Sequence, residues 1–217
     1  MDNNIFSILF LSSLFFALFL AAELVHRYTK IRVEYTRKLV HIGTGLLTML
    51  FPVMFTHYAW VLGICFIFFV LLSISLKFNL LPSINSIHRN SYGTLSYPIA
   101  VSLTFLFYYL KTAGTDTNYY YFYIPIVTMA LADPTAAIVG KRFPFVTYHI
   151  WDEQKSFSGS LAFFIIALLV NAIFIPDNNL IFLLIIPFIA TIAESLTIRG
   201  LDNLTIPISI MIILYFF

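Results

Sequence analysis

Apolar runs of about twenty residues recur from one end of this 217-residue chain to the other, and that recurrence constrains the fold more than any other feature. The hydrocarbon core of a bilayer is about 30 Å thick, which a helix crosses in ~20 residues. Eight runs qualify, at about 5–25, 39–56, 58–76, 93–110, 119–140, 158–175, 179–198 and 203–217. Only 10% of the residues are charged and 60% are hydrophobic, with mean hydropathy +0.93, whereas soluble domains carry about 25% charge. Backbone groups in lipid must be paired within the segment, so the runs are expected to be helices. The expected fold is an all-α, polytopic integral membrane protein with about eight transmembrane helices, or seven if the second or the last run is re-entrant. No soluble domain, long linker, low-complexity tail or internal repeat interrupts the pattern, so residues 1–217 read as a single transmembrane helical domain.

Charge sets the expected orientation. Arg27, Lys30, Arg32, Arg37 and Lys38 follow the first run, Lys77 and Arg89 follow the third, Lys141, Arg142 and Lys155 follow the fifth, and Arg199 follows the seventh. Those eleven fall on one side of the predicted topology and Lys111 alone on the other. By the positive-inside rule the eleven face the cytoplasm and both termini lie outside it. The first run is not read as a signal peptide, because Asp2 precedes it and its basic cluster comes afterwards. Cys65, the single cysteine, has no internal disulfide partner and is expected to pack.

The unusual polar residues fall at the cytoplasmic ends of these runs. Arg37, His41, Thr44, Gly45 and Thr48 follow helical spacing and form one stripe of polar and small residues, suited either to a site or to helix packing through Gly45. In "LADPTAAIVGKRF", Asp133 shares a face with Ala136, Ala137 and Gly140, below Lys141 and Arg142. A carboxylate in hydrocarbon costs a few kcal/mol at the least, so Asp133 requires a partner. Pro134 is expected to break or kink the span there. Lys155, Ser156, Ser158, Gly159 and Ser160 open the sixth run, either as an anion site at a helix N-terminus or as an N-cap. Glu194 lies inside the seventh run, and Arg199, Gly200, Asp202 and Asn203 read as a tight turn after it. Asn203 also opens a glycosylation sequon, expected to be unused on the cytoplasmic side. The segment 91–98, "SYGTLSYP", reads as an irregular start to the fourth span, with packing favoured over a site role.

Taken together, the acids Asp133, Asp202 and Glu194 face the bases Arg37, Lys38, Lys141, Arg142 and Lys155 at one membrane boundary. No P-loop, zinc-binding His pair or nucleophile elbow accompanies them. Carboxylates beside basic pairs at a water boundary suit a Mg²⁺-nucleotide, with a lipid acceptor arriving from the bilayer.

In order along the chain, "RKLVHIGTG", "DPTAAIVGKRF", "KSFSGS" and "GLDNLTIP" resemble the CTP-dependent polyprenol kinases, which include phytol, farnesol and dolichol kinases and are related to the CDP-diacylglycerol synthases. The resemblance runs from about Arg37 to Pro207 and is closest to the phytol kinase branch. It implies catalytic roles for Asp133, Lys155 and Asp202, with Asp133 and Asp202 as Mg²⁺ ligands. It implies nucleotide contacts from Arg37, Lys38, His41, Lys141, Arg142, Lys155, Ser156, Gly159, Ser160 and Asn203, with Glu194 as a possible supporting acid. The sequence departs from the family pattern at Ala132, Pro144 and Ser158, the last standing where the family has a glutamate.

The expected activity is transfer of the γ-phosphate of a nucleoside triphosphate, CTP in the first instance, to a long-chain isoprenoid alcohol drawn from the bilayer. The alternatives are a phosphatidate cytidylyltransferase, a CTP-dependent diacylglycerol kinase and, least favoured, a transporter. The polar groups cluster at one face instead of running through the bilayer, which argues against a transport path. Mg²⁺ is the expected cofactor and no nucleic acid is expected as a partner. The expected location is the plasma membrane of a prokaryote, or the endoplasmic reticulum or plastid membrane of a eukaryote.

Overall fold

In the computed structural model, which describes residues 2–29, 31–78, 80–85, 92–113, 118–151, 153–175 and 179–217, the apolar runs become helices whose lengths follow the hydropathy pattern. Among the described residues there are ten helical segments and one two-stranded hairpin. The helices are α1 (Asp2–Tyr28), α2 (Val33–Thr48), α3 (Phe51–Met54), α4 (Tyr58–Phe78), α5 (Pro82–Asn85), α6 (Gly93–Thr112), α7 (Tyr120–Arg142), α8 (Phe157–Phe174), α9 (Leu180–Leu196) and α10 (Asp202–Tyr215). Five of them, α1, α4, α6, α7 and α8, are long and apolar enough to cross a membrane, and α9 and α10 are shorter apolar helices. The chain is therefore a polytopic helical membrane protein. Lys30, Arg89, Ser91 and Asp152 lie outside the described residues.

The second predicted run is not one helix. The chain leaves α2 at Thr48, turns through Met49 and Leu50, and makes a single further turn, α3, with Pro52 near its start. Proline is tolerated in a first helical turn, where its missing N–H has no intrahelical partner to lose. The helices α9 and α10 have 17 and 14 residues, and at 1.5 Å per residue they reach about 25 and 21 Å, less than a full hydrocarbon core.

Burial sorts the helices into an inner and an outer set. In α7, 61% of the best apolar window is buried, against 22% in α1 and in α4. The outer helices are the more apolar, with mean hydropathy 2.5 and 2.6 against 1.6 for α7, and α7 packs against α2, α6, α8 and α10. Its core residues include Phe122, Ile124, Ile126 and Met129, none with measurable exposure. Pro134 does not break α7 as expected. The helix continues to Arg142 through both Pro125 and Pro134; Pro134 has no N–H to offer Ala130 O, while beside it Thr135 Oγ1 donates to Leu131 O (2.7 Å) and Lys38 Nζ donates to Pro134 O (3.2 Å).

Between α7 and α8 the chain forms a feature that the hydropathy pattern did not predict. Strands β1 (Thr147–Ile150) and β2 (Glu153–Ser156) pair antiparallel, with Tyr148 opposite Lys155 and Ile150 opposite Glu153. Val146 and Trp151 flank β1 with φ of 46° and 51°. Lys155 and Ser156, read from sequence as the opening of a helix, are thus strand residues, and α8 begins at Phe157.

Candidate functional site

The α7–α8 contact is made by small residues. A Cβ on Gly140 would lie 2.7 Å from Ser156 Oγ, and one on Gly159 would lie 2.9 Å from Ala136 O. The stripe below Asp133 therefore lets α8 approach α7 until the hairpin sits over the charged end of the bundle. On the other side of α7, Gly45 performs the same task for α2, where a Cβ would overlap Ala130. Both small-residue stripes are helix contacts, and both bring polar residues of neighbouring helices to Asp133.

Those residues line one cavity of about 630 Å³. Arg37, Lys38, His41, Asp133, Lys141, Lys155, Ser156, Gly159, Ser160, Glu194, Asp202 and Asn203 all border it. Arg142 does not: it is exposed and its guanidinium lies 5.8 Å from the Phe143 ring. Four separate stretches of sequence, on α2, α7, the hairpin with α8, and α9 with α10, thus meet in one place.

Each charged group has identifiable surroundings. Lys38 is buried, with its ammonium on Pro134 O, one residue from Asp133. His41 Nε2 lies 3.0 Å from Met129 O and 4.0 Å from Asp133 Oδ2. A carbonyl only accepts, so Nε2 carries the hydrogen. The same imidazole lies edge-on to Tyr97, whose hydroxyl donates to His41 O (3.1 Å). Lys155 Nζ donates to Glu194 Oε1 (2.8 Å) and to Glu194 O, with both side chains mostly shielded. Glu194 Oε2 is buried and has no partner among the described residues. At the rim, Lys141 pairs with Glu34 at 2.5 Å. Burial would raise the Glu34 carboxyl, yet the Lys141 hydrogen bond and the charges of Lys38 and Arg37 hold it below its ordinary value.

The turn before α10 is braced from two directions. Tyr92 N donates to Arg199 O (2.8 Å) and Ser96 Oγ to Gly200 O (3.1 Å), while Arg199 N donates to Glu153 Oε1 (2.7 Å). Gly200 has φ 78°, a conformation that glycine adopts without strain. Asp202 Oδ1 accepts from Asn203 N (2.9 Å), and Asn203 Nδ2 donates to Gly93 O (2.8 Å). Asn203 is therefore a buried tie between α10 and α6.

Ser156 acts as the N-cap of α8, its hydroxyl accepting from Gly159 N (3.2 Å). The capping alternative weighed from sequence is the one seen, although Ser156 also borders the cavity. Ser158 faces elsewhere, donating to Phe143 O (2.6 Å) and closing the loop that precedes β1. Gly93, Thr94, Tyr97 and Pro98 of α6 do border the cavity, so this helix start, read as packing, contributes to the site. Glu34, Glu153 and Gln154 join them. Their sequence signal was position: Glu34 lies three residues before Arg37 on α2, and Glu153 and Gln154 lie two and one residues before Lys155 on β2.

The lining carries four cations, Arg37, Lys38, Lys141 and Lys155, and five carboxylates, Glu34, Asp133, Glu153, Glu194 and Asp202. Counted as ionised, those groups carry one more negative than positive charge, so the lining offers no net positive charge to an anion. Among the described residues no three His, Cys, Asp or Glu side chains converge as a self-sufficient metal cage. Mg²⁺ needs no such cage, since it keeps waters and binds through one or two carboxylates plus substrate phosphates. Asp133 and Asp202 border the same cavity and are the two carboxylates that could hold such an ion.

The chain is 31% identical over 199 residues to a phytol kinase of Synechocystis sp., an alignment covering 88% of this chain and 83% of that one. No family model matches the chain, and no solved structure does.

Proposed function

We propose, from the premise that the chain belongs to the polyprenol kinase family as a homologue of phytol kinase, that it phosphorylates a long-chain isoprenoid alcohol with a nucleoside triphosphate, CTP first among them. The observation that carries this reading is the composition of the cavity. One end is bordered by Arg37, Lys38, Asp133, Lys155, Glu194 and Asp202, and the other by Phe15, Phe19, Ile64, Phe68 and Leu72. A charged donor and a greasy acceptor require such a pairing of environments in one space.

In the proposed reaction the acceptor hydroxyl oxygen forms a bond to the γ-phosphorus while the bond from that phosphorus to the β–γ bridging oxygen breaks. The nucleoside diphosphate leaves with the bridging oxygen. Asp133 is the innermost cavity residue on α7, toward the apolar end, and takes the hydroxyl proton. Lys155 has three N–H donors; two are directed to Glu194, and the third is available to a phosphate oxygen. Arg37 and Lys38 supply further positive charge, and Lys141, on Glu34 at rest, stands at the rim. Asp133 and Asp202 would hold Mg²⁺, which when bound offsets phosphate charge as transfer proceeds. Positioning and charge stabilisation account for most of phosphoryl-transfer catalysis, which fits a site built from fixed charges.

The proposed topology has eight membrane segments, both termini outside the cytoplasm, and the charged end of the cavity facing the cytoplasm, where nucleotide is found. Purified protein in nanodiscs with Mg²⁺, each nucleoside triphosphate in turn, and a twenty-carbon prenol tests the reading. Alkyl phosphate formed fastest with CTP supports it, and no alkyl phosphate with any nucleotide refutes it.

A further inference from the structure

The residues bordering the cavity are ordered by depth. Along α2 they run Glu34, Arg37, Lys38, Val40, His41, Thr44 and Thr48, then Phe51 of α3. Seventeen positions at 1.5 Å separate the first from the last if helical, about 25 Å, over which charge gives way to hydroxyls and then to a phenyl ring. Thr48 Oγ1 donates to its own turn at Gly45 O (2.8 Å), so it presents little polarity to the cavity. Along α6 the sequence is Gly93, Thr94, Tyr97, Pro98 and Val101, again ending apolar. The remaining apolar lining comes from the outer helices, Phe15 and Phe19 of α1 with Ile64, Cys65, Phe68 and Leu72 of α4. Phe15 and Phe68 meet edge to face at 5.0 Å, and Phe15 also meets Phe51. Cys65 is 5% exposed and Val101 is 2% exposed. Neither faces lipid, and Ile64 and Cys65 on α4 with Val101 on α6 are the lining positions farthest along their helices from Lys77 and Gly93, at the deep end of the apolar arm.

Resting on the kinase reading above, we propose that this arm, between α1, α4 and α6, is the seat of the isoprenoid tail, and that Cys65 at its closed end limits the chain length accepted. Continuity is the reason for choosing this occupant. The arm opens into the space bordered by Asp133, so an alcohol whose hydroxyl reaches Asp133 has its hydrocarbon in the arm. Aromatic and branched side chains with few polar atoms match a methyl-branched chain and offer nothing to a lipid headgroup. A cysteine at the closed end is small, so a longer side chain there would shorten the arm, as a one-carbon mismatch does in a specificity pocket.

The test compares kcat/KM for a twenty-carbon and a ten-carbon prenol in the wild type, Cys65→Phe and Cys65→Ala. The proposal expects Cys65→Phe to lower the long-to-short ratio by at least about 10-fold while short-chain activity persists, and Cys65→Ala to keep or raise that ratio. A ratio unmoved by Cys65→Phe in an active protein overturns the tail assignment and leaves the kinase reading intact. A wild type that phosphorylates neither prenol refutes the kinase reading instead. If Cys65→Phe acts on neither prenol, or the wild type on neither, photo-crosslinking of the unmodified protein decides. A twenty-carbon prenol with a photoreactive tail end should label peptides containing Phe15 or Phe68, and labelling confined to α8 and α9 overturns the assignment.

Discussion

Asp133 was expected from sequence to require a partner, and its surroundings show two: the His41 imidazole at 4.0 Å and the buried Lys38, whose ammonium sits on the adjacent Pro134 carbonyl. Neither is a close ion pair, so the carboxylate keeps capacity for a metal or a proton. Asp133→Asn is expected to abolish transfer, by more than about 100-fold, and also to lower the melting temperature, because Lys38 would be left buried beside no counter-charge. Adding Lys38→Met should restore the melting temperature and not the activity, as read by thermal unfolding in detergent beside a transfer assay. Asp202→Asn should also remove transfer, and the double variant Asp133→Asn with Asp202→Asn should be little worse than either if, as proposed, both hold one Mg²⁺. Lys155→Ala should cost about 10- to 150-fold in kcat/KM, the loss of one charge-assisted contact. It also strands Glu194, so Lys155→Ala with Glu194→Gln should be more stable than Lys155→Ala alone. The residue types of the site were legible from the chain because charge in an apolar sequence is conspicuous. Their pairing was not: Lys155 with Glu194 and Lys141 with Glu34 join positions 39 and 107 residues apart, and no local pattern encodes such contacts.

The element that organises the site is the α7–α8 contact. Gly159→Ala places a methyl 2.9 Å from Ala136 O, a backbone atom that cannot rotate away. The helices must separate, which costs about 1–3 kcal/mol by overpacking and shifts Lys155 relative to Asp133. The variant should melt several degrees lower and lose most of its activity. Gly63→Ala on α4 is the control, since nothing lies within 4 Å of the added methyl; melting temperature and activity should stay as in the wild type. At this scale the long helices were read correctly because a hydropathy window of about 20 residues averages over local detail. The hairpin escaped notice because four-residue strands in a polar connection carry almost no periodic signal. The break weighed at Pro134 is absent because that reading took the helix in isolation, whereas α7 is packed among other helices.

For the whole molecule, the positive-inside count assigns Arg32, Lys77 and the hairpin to the cytoplasm and Lys111 to the opposite side. Cysteines placed at Arg32, Lys77, Trp151 and Lys111, all exposed, in a Cys65→Ser background should react accordingly with an impermeant thiol reagent. From outside intact cells only the Lys111 position should label, and labelling of the Trp151 position would put the charged end of the cavity out of reach of cytoplasmic nucleotide. The cavity's two-sided character was foreseeable only in outline, since a polar boundary and greasy spans are common to many membrane proteins. That Phe15 and Phe19 of α1 and Phe68 of α4, which belong to no polar motif, border the same cavity as the charged residues is a fact of packing alone. The central claim is that this cavity transfers a γ-phosphoryl group to an alcohol, and the destination of isotope tests it most directly. Purified protein with Mg²⁺, a twenty-carbon prenol and CTP labelled at either the α- or the γ-phosphorus should place label in the lipid product from γ-labelled CTP only, with CDP as the co-product. Label entering lipid from α-labelled CTP, with pyrophosphate released, would contradict the account.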